Sequence, residues 1–156
     1  MRIGELCTRE VVYCERATGV AEVAQLMRSH HVGDLIVVDR RNGRLRPVGI
    51  VTDRDLVVEV LARRLNPDAV TAGDLMTTAL VTAQETGPVH DAIERMRSRA
   101  VRRLPVVDDE GLLIGVLTAD DVTGLLAEEL TEVARIGLRQ LAVEKSARAR
   151  VPDIAT

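Results

Sequence analysis

Two heptapeptides carry the residue types most suited to chemistry. Gly49-Ile50-Val51-Thr52-Asp53-Arg54-Asp55 and Gly115-Val116-Leu117-Thr118-Ala119-Asp120-Asp121 share the pattern Gly-x-x-Thr-x-x-Asp. In each, an apolar run ends at a threonine and acidic residues follow, the signature of a strand passing into a helix N-terminus. The bland reading is capping: the Thr hydroxyl accepts from orphan N–H groups and the Asp complements the helix dipole. The alternative is ligand binding. Helix N–H groups attract an anion, a Thr hydroxyl bonds phosphate, and an Asp accepts both hydroxyls of a ribose. One copy alone favours capping, whereas two copies with the same Gly and Asp offsets raise the case for a nucleotide.

The elements that must position these heptapeptides repeat as well. Shifted by 69 residues, the chain shows 13 identities over residues 4–39, from Gly4 on Gly73 to Asp39 on Asp108. After a three-residue shortening in a polar turn, a shift of 66 places Gly49, Thr52 and Asp55 on Gly115, Thr118 and Asp121. Self-similarity of this length marks a duplicated structural unit. Each copy opens with a short apolar strand, Val11–Cys14 and Leu80–Thr82. An amphipathic helix follows, with Val20, Val23, Ala24 and Met27, then Val89, Ala92, Ile93 and Met96, at helical spacing. Strands are expected at Leu35–Val38 and Val48–Val51, and at Leu104–Val107 and Leu113–Leu117, before a second helix. The plan is β-α-β-β-α twice, a mixed α/β (α+β) fold. Repeats at 3–65 and 73–130 flank a linker at 66–72, and a helical tail spans 131–156. Leu126, Leu130, Val133, Leu138 and Leu141 form an apolar stripe entering that tail; Gly137 weakens an unbroken helix by about 1 kcal/mol, and fraying is expected after Lys145.

Composition narrows the classes. The 156 residues are 46% hydrophobic and 29% charged, as in a globular domain with its own core. Tyr13 is the one aromatic residue, which excludes a base-stacking platform for single-stranded nucleic acid. A net charge of −3 gives no pull toward polyanions. The Arg95–Arg103 segment holds five arginines inside an otherwise acidic middle third, and those on its helix read as a solvated face. No apolar run reaches membrane-spanning length, and no signal-peptide pattern opens the chain, so a cytoplasmic location is expected. Cys7 and Cys14 read as reduced thiols. His30, His31 and His90 lack metal-ligand spacing, and no metal site is expected. No phosphate-binding glycine loop is present, and nothing points to a catalytic group.

The duplicated plan, its paired Gly-x-x-Thr-x-x-Asp junctions and the stretch Val101-Arg102-Arg103-Leu104-Pro105-Val106-Val107-Asp108 resemble the cystathionine-β-synthase (CBS) domain, which occurs in tandem pairs. The resemblance covers residues 3–130. It implies a pseudo-two-fold pair with two clefts for an adenosyl ligand such as AMP, ADP, ATP or S-adenosylmethionine. Such a module is non-catalytic, requires no cofactor, and regulates a partner. Carried onto this sequence, Asp55 and Asp121 would hold ribose and Thr52 and Thr118 phosphate, while the first strands near Tyr13 and near Val81 and Thr82 would pack the base. Arg54, Arg102 and Arg103 are candidate phosphate partners, and the second cleft, with Thr118, Asp121 and one of these last two arginines, is the favoured site. Asp34 would repel a phosphate if it lined the first. A homodimer is expected, with an effector protein possible through the tail. The competing reading is a dimeric interaction protein whose clefts are degenerate.

Overall fold

The structure is a computed structural model and describes residues 1–148. Its elements are α1 (Ile3–Leu6), β1 (Tyr13–Glu15), α2 (Val20–His30), β2 (Asp34–Arg41), β3 (Arg44–Thr52), α3 (Asp53–Asp55), α4 (Ala72–Leu75), β4 (Ala83–Gln84), α5 (Val89–Arg99), β5 (Arg103–Val107), β6 (Leu113–Thr118) and α6 (Ala119–Arg148). Two compact units divide the chain, Met1–Ala119 and Asp120 onward. The first contains both sheets. No helix among the described residues is long and apolar enough to cross a membrane.

Each sheet has three strands, in the orders β1-β2-β3 and β4-β5-β6, with the first pair parallel and the second antiparallel. The central strands are fully buried runs: Leu35, Val37, Leu104 and Val106 have no accessible surface. Helices α2 and α5 cover these strands with the periodic residues expected, Val20, Val23 and Met27, then Val89, Ala92 and Met96. Both helices stop at an equivalent residue in the left-handed region, His31 (φ 54°) and Ala100 (φ 53°). α3 continues through a π-type segment, Leu56–Leu61, with bonds from Ala62 N–H to Val57 O and from Leu65 N–H to Val60 O.

The opening strands differ from the sequence expectation. In the first repeat the strand begins at Tyr13, and Ile36 N–H donates to Val12 O at 3.4 Å. The equivalent donor in the second repeat is Pro105, which has no N–H to give to Val81. β4 accordingly begins only at Ala83, leaving Val81 and Thr82 ahead of it.

The repeats exchange their opening segments. Arg2 bridges Pro88 and Thr8 bridges Val116, while Thr71 bridges Gly19 and Thr77 bridges Ile50. Ile3 N–H donates to Gly87 O at 2.8 Å and Ala72 N–H to Thr18 O at 2.8 Å. Ala72 and Met76, from the start of the second repeat, are members of the first repeat's core beside Val23, Leu35 and Val51. Arg44 adds ion pairs from the β2–β3 hairpin to Asp108 and to Glu110 of the second repeat.

α6 runs continuously across Gly137. Its two glycines, Gly124 and Gly137, each cost about 1 kcal/mol relative to alanine, which is small against a helix of this length. Most of the segment expected to fray lies outside the described residues.

Candidate functional site

The motif glycines have a structural reason. A Cβ on Gly49 would lie 2.6 Å from Met76 Sδ and 2.7 Å from Thr77 O; one on Gly115 would lie 2.8 Å from both Cys7 Sγ and Thr8 O. Each glycine makes room for the segment donated by the other repeat. The glycine half of the motif therefore serves the exchange.

Thr52 caps α3. Its Oγ1 accepts from Asp55 N–H at 3.1 Å, and Asp55 Oδ2 accepts from Thr52 N–H and from Thr52 Oγ1–H, both at 2.8 Å. Thr71 and Asp74 build the same box outside the motif, where Asp74 Oδ2 accepts from Thr71 N–H at 2.9 Å and from Thr71 Oγ1–H at 2.7 Å. Those bonds hold the exposed Asp74 carboxyl below its ordinary range. Capping thus accounts for one oxygen of Asp55 and leaves Oδ1 without any role in the cap.

A cavity of about 610 Å³ opens beside this cap. Gly33, Asp34, Thr52, Asp53 and Arg54 line it from the first repeat, and Val101, Arg102 and Arg103 from the second. Ile50, Thr77 and Ala100 complete the wall, which is more apolar than polar. Its volume lies in the range of small-molecule sites.

The equivalent residues of the two repeats face each other here. Asp34 and Arg103 form an ion pair at 2.6 Å, with side chains 11% and 37% exposed. Burial raises the Asp34 carboxyl above its ordinary range, although Arg103 beside it pulls the other way. Gly33 and Arg102 are equivalent too, and each carbonyl accepts the first helical N–H of its own repeat: Asp53 N–H at 2.9 Å and Ala119 N–H at 2.7 Å. A Cβ on Gly33 would sit 3.2 Å from Asp53 Oδ2. Where the second repeat has the small Ala119, it carries an arginine at the matching position. The residues of one junction are adjusted to each other, and the two junctions differ in charge.

Of the residues singled out in the sequence, the cavity gathers Thr52, Arg54, Arg102 and Arg103. Arg102 and Arg103 line the cavity of the first repeat's motif, a grouping different from the one favoured in the sequence. Thr118 ends β6 opposite Arg103, as Thr52 ends β3 opposite Asp34. Asp121 stands in the opening turn of α6. Tyr13 lines a separate hollow with Cys14, Thr18 and Glu22. Thr82 borders another of about 490 Å³ with Arg16, Arg41 and Arg46, and its carbonyl accepts from Arg95 at 2.9 Å; Val81 precedes it, half-buried. Sequence reasoning missed Asp53, Ile50 and Val101 as lining residues. Their signal was the 69- and 66-residue register, which brings equivalent positions to one axis.

Burial, with Glu22 nearby, pushes the Cys14 thiol up to about 11. No group of three or more His, Cys, Asp or Glu able to hold a metal exists among the described residues.

The CBS domain family model matches residues 3–62 and 72–128. The chain belongs to the CBS-domain family. An uncharacterised protein of Methanopyrus kandleri is 38% identical over 120 residues, covering 77% of this chain and 60% of that protein. Protein YlbB of Bacillus subtilis is 34% identical over 140 residues, 90% of each chain. Among solved structures, a CBS domain protein of Pyrobaculum aerophilum complexed with AMP aligns with TM-score 0.71 and 33% identity, over 84% of this chain and 99% of that one. Hypoxic Response Protein I, solved with two coordinated zinc ions, aligns with TM-score 0.68 and 28% identity, over 79% and 97%. These tandem CBS repeats therefore share their fold with the solved CBS domain protein of Pyrobaculum aerophilum.

Proposed function

We propose that this CBS pair is a non-catalytic regulatory module that binds an adenosyl ligand (AMP, ADP, ATP or S-adenosylmethionine) and signals to a partner by conformational change. The observation that carries the reading is the cavity joining the Thr52 cap to Arg102 and Arg103 across the two repeats. The AMP complex of the 33% identical Pyrobaculum protein supports it.

Residues 3–65 and 73–130, joined by the linker 66–72, form the sensing body, and 131–156 the reporting tail. Asp55, through Oδ1, and Asp121 bind ribose; Thr52, Thr118, Arg54 and Arg102 meet phosphate. Ile50 and Val101 offer an apolar wall to the base, and Tyr13, Val81 and Thr82 at the opening strands are the other candidates for packing it. Arg103 answers to Asp34 before it answers to a ligand. Ligand acts as a signal rather than a cofactor, and shifts the balance between two arrangements of the repeats. The module works as a homodimer in the cytoplasm, with an effector protein contacted through the tail. A solved hexameric CBS-CP12 protein, 25% identical, supports self-association as such.

Thermal unfolding of the full chain against AMP, ADP, ATP, S-adenosylmethionine and NAD tests the reading. A ligand at ~100 times its Kd adds about 2.7 kcal/mol, which raises the Tm by several degrees at about 2–4 °C per kcal/mol. The expected result is a shift with one adenosyl ligand that Asp55→Ala or Asp121→Ala abolishes. No shift at millimolar ligand overturns the reading in favour of an interaction module with unfilled clefts, a role that the Asp34–Arg103 closure favours.

A further inference from the structure

We propose that the cavity of about 490 Å³ against the β2–β3 hairpin is a second binding site, for an organic phosphate monoester. The site is independent of the adenosyl reading above. The hairpin builds it. Asn42 and Gly43 both take positive φ, 49° and 77°, as a two-residue turn that fixes hairpin register requires. That register sets Arg46 opposite Asp39, and Arg41, two residues beyond Asp39, shares their face. Arg16 follows β1 directly, and its Nε and Nη2 donate to the two oxygens of Asp39 at 2.8 and 3.3 Å. The exchanged opening segment separates this cavity from the first: Thr77 lines the one at the Thr52 cap, and Met76 and Thr78 line this one. Thr77 N–H donates to Ile50 O at 2.9 Å and pins the segment to β3.

Charge and wall chemistry name the ligand class. Arg40 is answered by Glu15 at 2.6 Å, and Arg44 by Asp108 and Glu110. Among the described residues no acidic side chain pairs with Arg41 or Arg46. Arg16, Arg41 and Arg46 against Asp39 leave the cavity two positive charges. Like charges grouped in this way repel one another, and a bound anion relieves the repulsion. A phosphate monoester carries about −1.5 to −2 charges at neutral pH, and the guanidinium fork matches its oxygens. Pro47, Val48, Met76 and Leu80 supply an apolar wall for an organic body, with the Thr78 hydroxyl beside them. Both oxygens of the one lining carboxylate already accept from Arg16, so a ribose diol finds no acceptor of the kind Asp55 offers.

Phenyl phosphate, titrated into the isotope-labelled full chain and followed through amide chemical shifts, tests the site. The expected result is a saturable shift at the amides of Val48, Thr78 and Leu80. Arg41→Gln and Arg46→Gln are each expected to weaken binding about tenfold, the loss of one charge-assisted hydrogen bond. Neither arginine holds an ion pair, so both variants should keep the wild-type spectrum elsewhere. Arg40→Gln removes the same charge from an arginine outside the cavity and should leave the Kd unchanged. Inorganic phosphate, which has no body for the apolar wall, should bind about tenfold more weakly. An equal loss in Arg40→Gln marks diffuse surface charge and overturns the proposal. Equal affinity for inorganic phosphate leaves the apolar wall idle and overturns the organic ligand. Shifts at Thr52 and Ile50 instead place the probe in the first cavity and overturn the second site, as does the absence of any saturable shift at millimolar probe.

Discussion

Asp34 and Arg103 occupy the same position in the two repeats, carry opposite charges, and meet at 2.6 Å beside the cavity. A duplicated unit with identical residues there would have set two like charges face to face. Divergence at this one position converts a repulsion into a clasp between the repeats.

The clasp is asymmetric, because Asp34 is the more deeply buried partner. Arg103→Ala leaves that carboxylate without its partner and is expected to cost about 1–3 kcal/mol near neutral pH. The loss should shrink in acid. The folded Asp34 pKa is raised from 3.8, so its contribution to stability is present below 3.8 and is lost as pH rises through the folded value. Asp34→Asn removes that cost and should gain on the wild type as pH rises through the same range. Urea denaturation across pH checks both directions; a large loss for Asp34→Asn at pH 7 would contradict the account.

Release of Arg103 has a second expected outcome. Asp34→Asn leaves a cation facing the cavity and should tighten binding of AMP relative to adenosine, which lacks the phosphate. Calorimetric titration of the two ligands measures the ratio, and an unchanged ratio would show that Arg103 does not reach phosphate.

Thr52 and Thr71 separate capping from sensing. Thr52→Ala and Thr71→Ala each remove an N-cap hydroxyl and should cost about 1 kcal/mol. Thr52→Ala alone should also weaken adenosyl-ligand binding, since Thr71 lies outside the cavity. Equal ligand affinity in both variants would reduce Thr52 to a cap.

Gly49→Ala and Gly115→Ala test the exchanged segments. Each added Cβ meets backbone oxygen of the other repeat at under 3.0 Å, and such overpacking costs about 1–3 kcal/mol. Gly124→Ala, with nothing within 4 Å, is the matched control and should be neutral or mildly stabilising. Equilibrium denaturation ranks the three.

Thiol reactivity should follow burial. Cys7 is half-buried and Cys14 buried, with the Cys14 thiol raised from 9.0 to about 11. Cys14 should react with an aromatic disulfide reagent only on unfolding, and Cys7 first in the native state. The stability this thiol contributes is full below pH 9.0 and is lost as pH rises toward 11. Equal native rates at the two sulfurs would contradict this.

The sequence made the duplication, the helices and the central strands legible because each leaves a local period. Val20, Val23 and Met27 lie on one helical face, and Leu35–Val38 form a run too short and too apolar for anything but a buried strand. The exchange was not legible. It rests on single bridges such as Thr8 to Val116, between residues with no periodic mark. The glycines at 49 and 115 were visible, but their reason lay in another repeat. Pro105 was visible too, and its missing N–H would have placed the start of β4 had the Ile36–Val12 bond been anticipated. In the candidate site, Thr52 and the arginines could be named from type and spacing. Their meeting in one cavity depended on an axis that only the register of the repeats reveals.

The crossed opening segments also constrain how the chain can be made. A ribosome releases the first repeat before residues 72–76 exist outside its tunnel, so the hydrophobic interior around Val23 and Leu35 must wait for Ala72 and Met76 to emerge. Residues 2–8 wait longer still, until Val116 is synthesised. Neither half holds its full set of native contacts until the second repeat has been made.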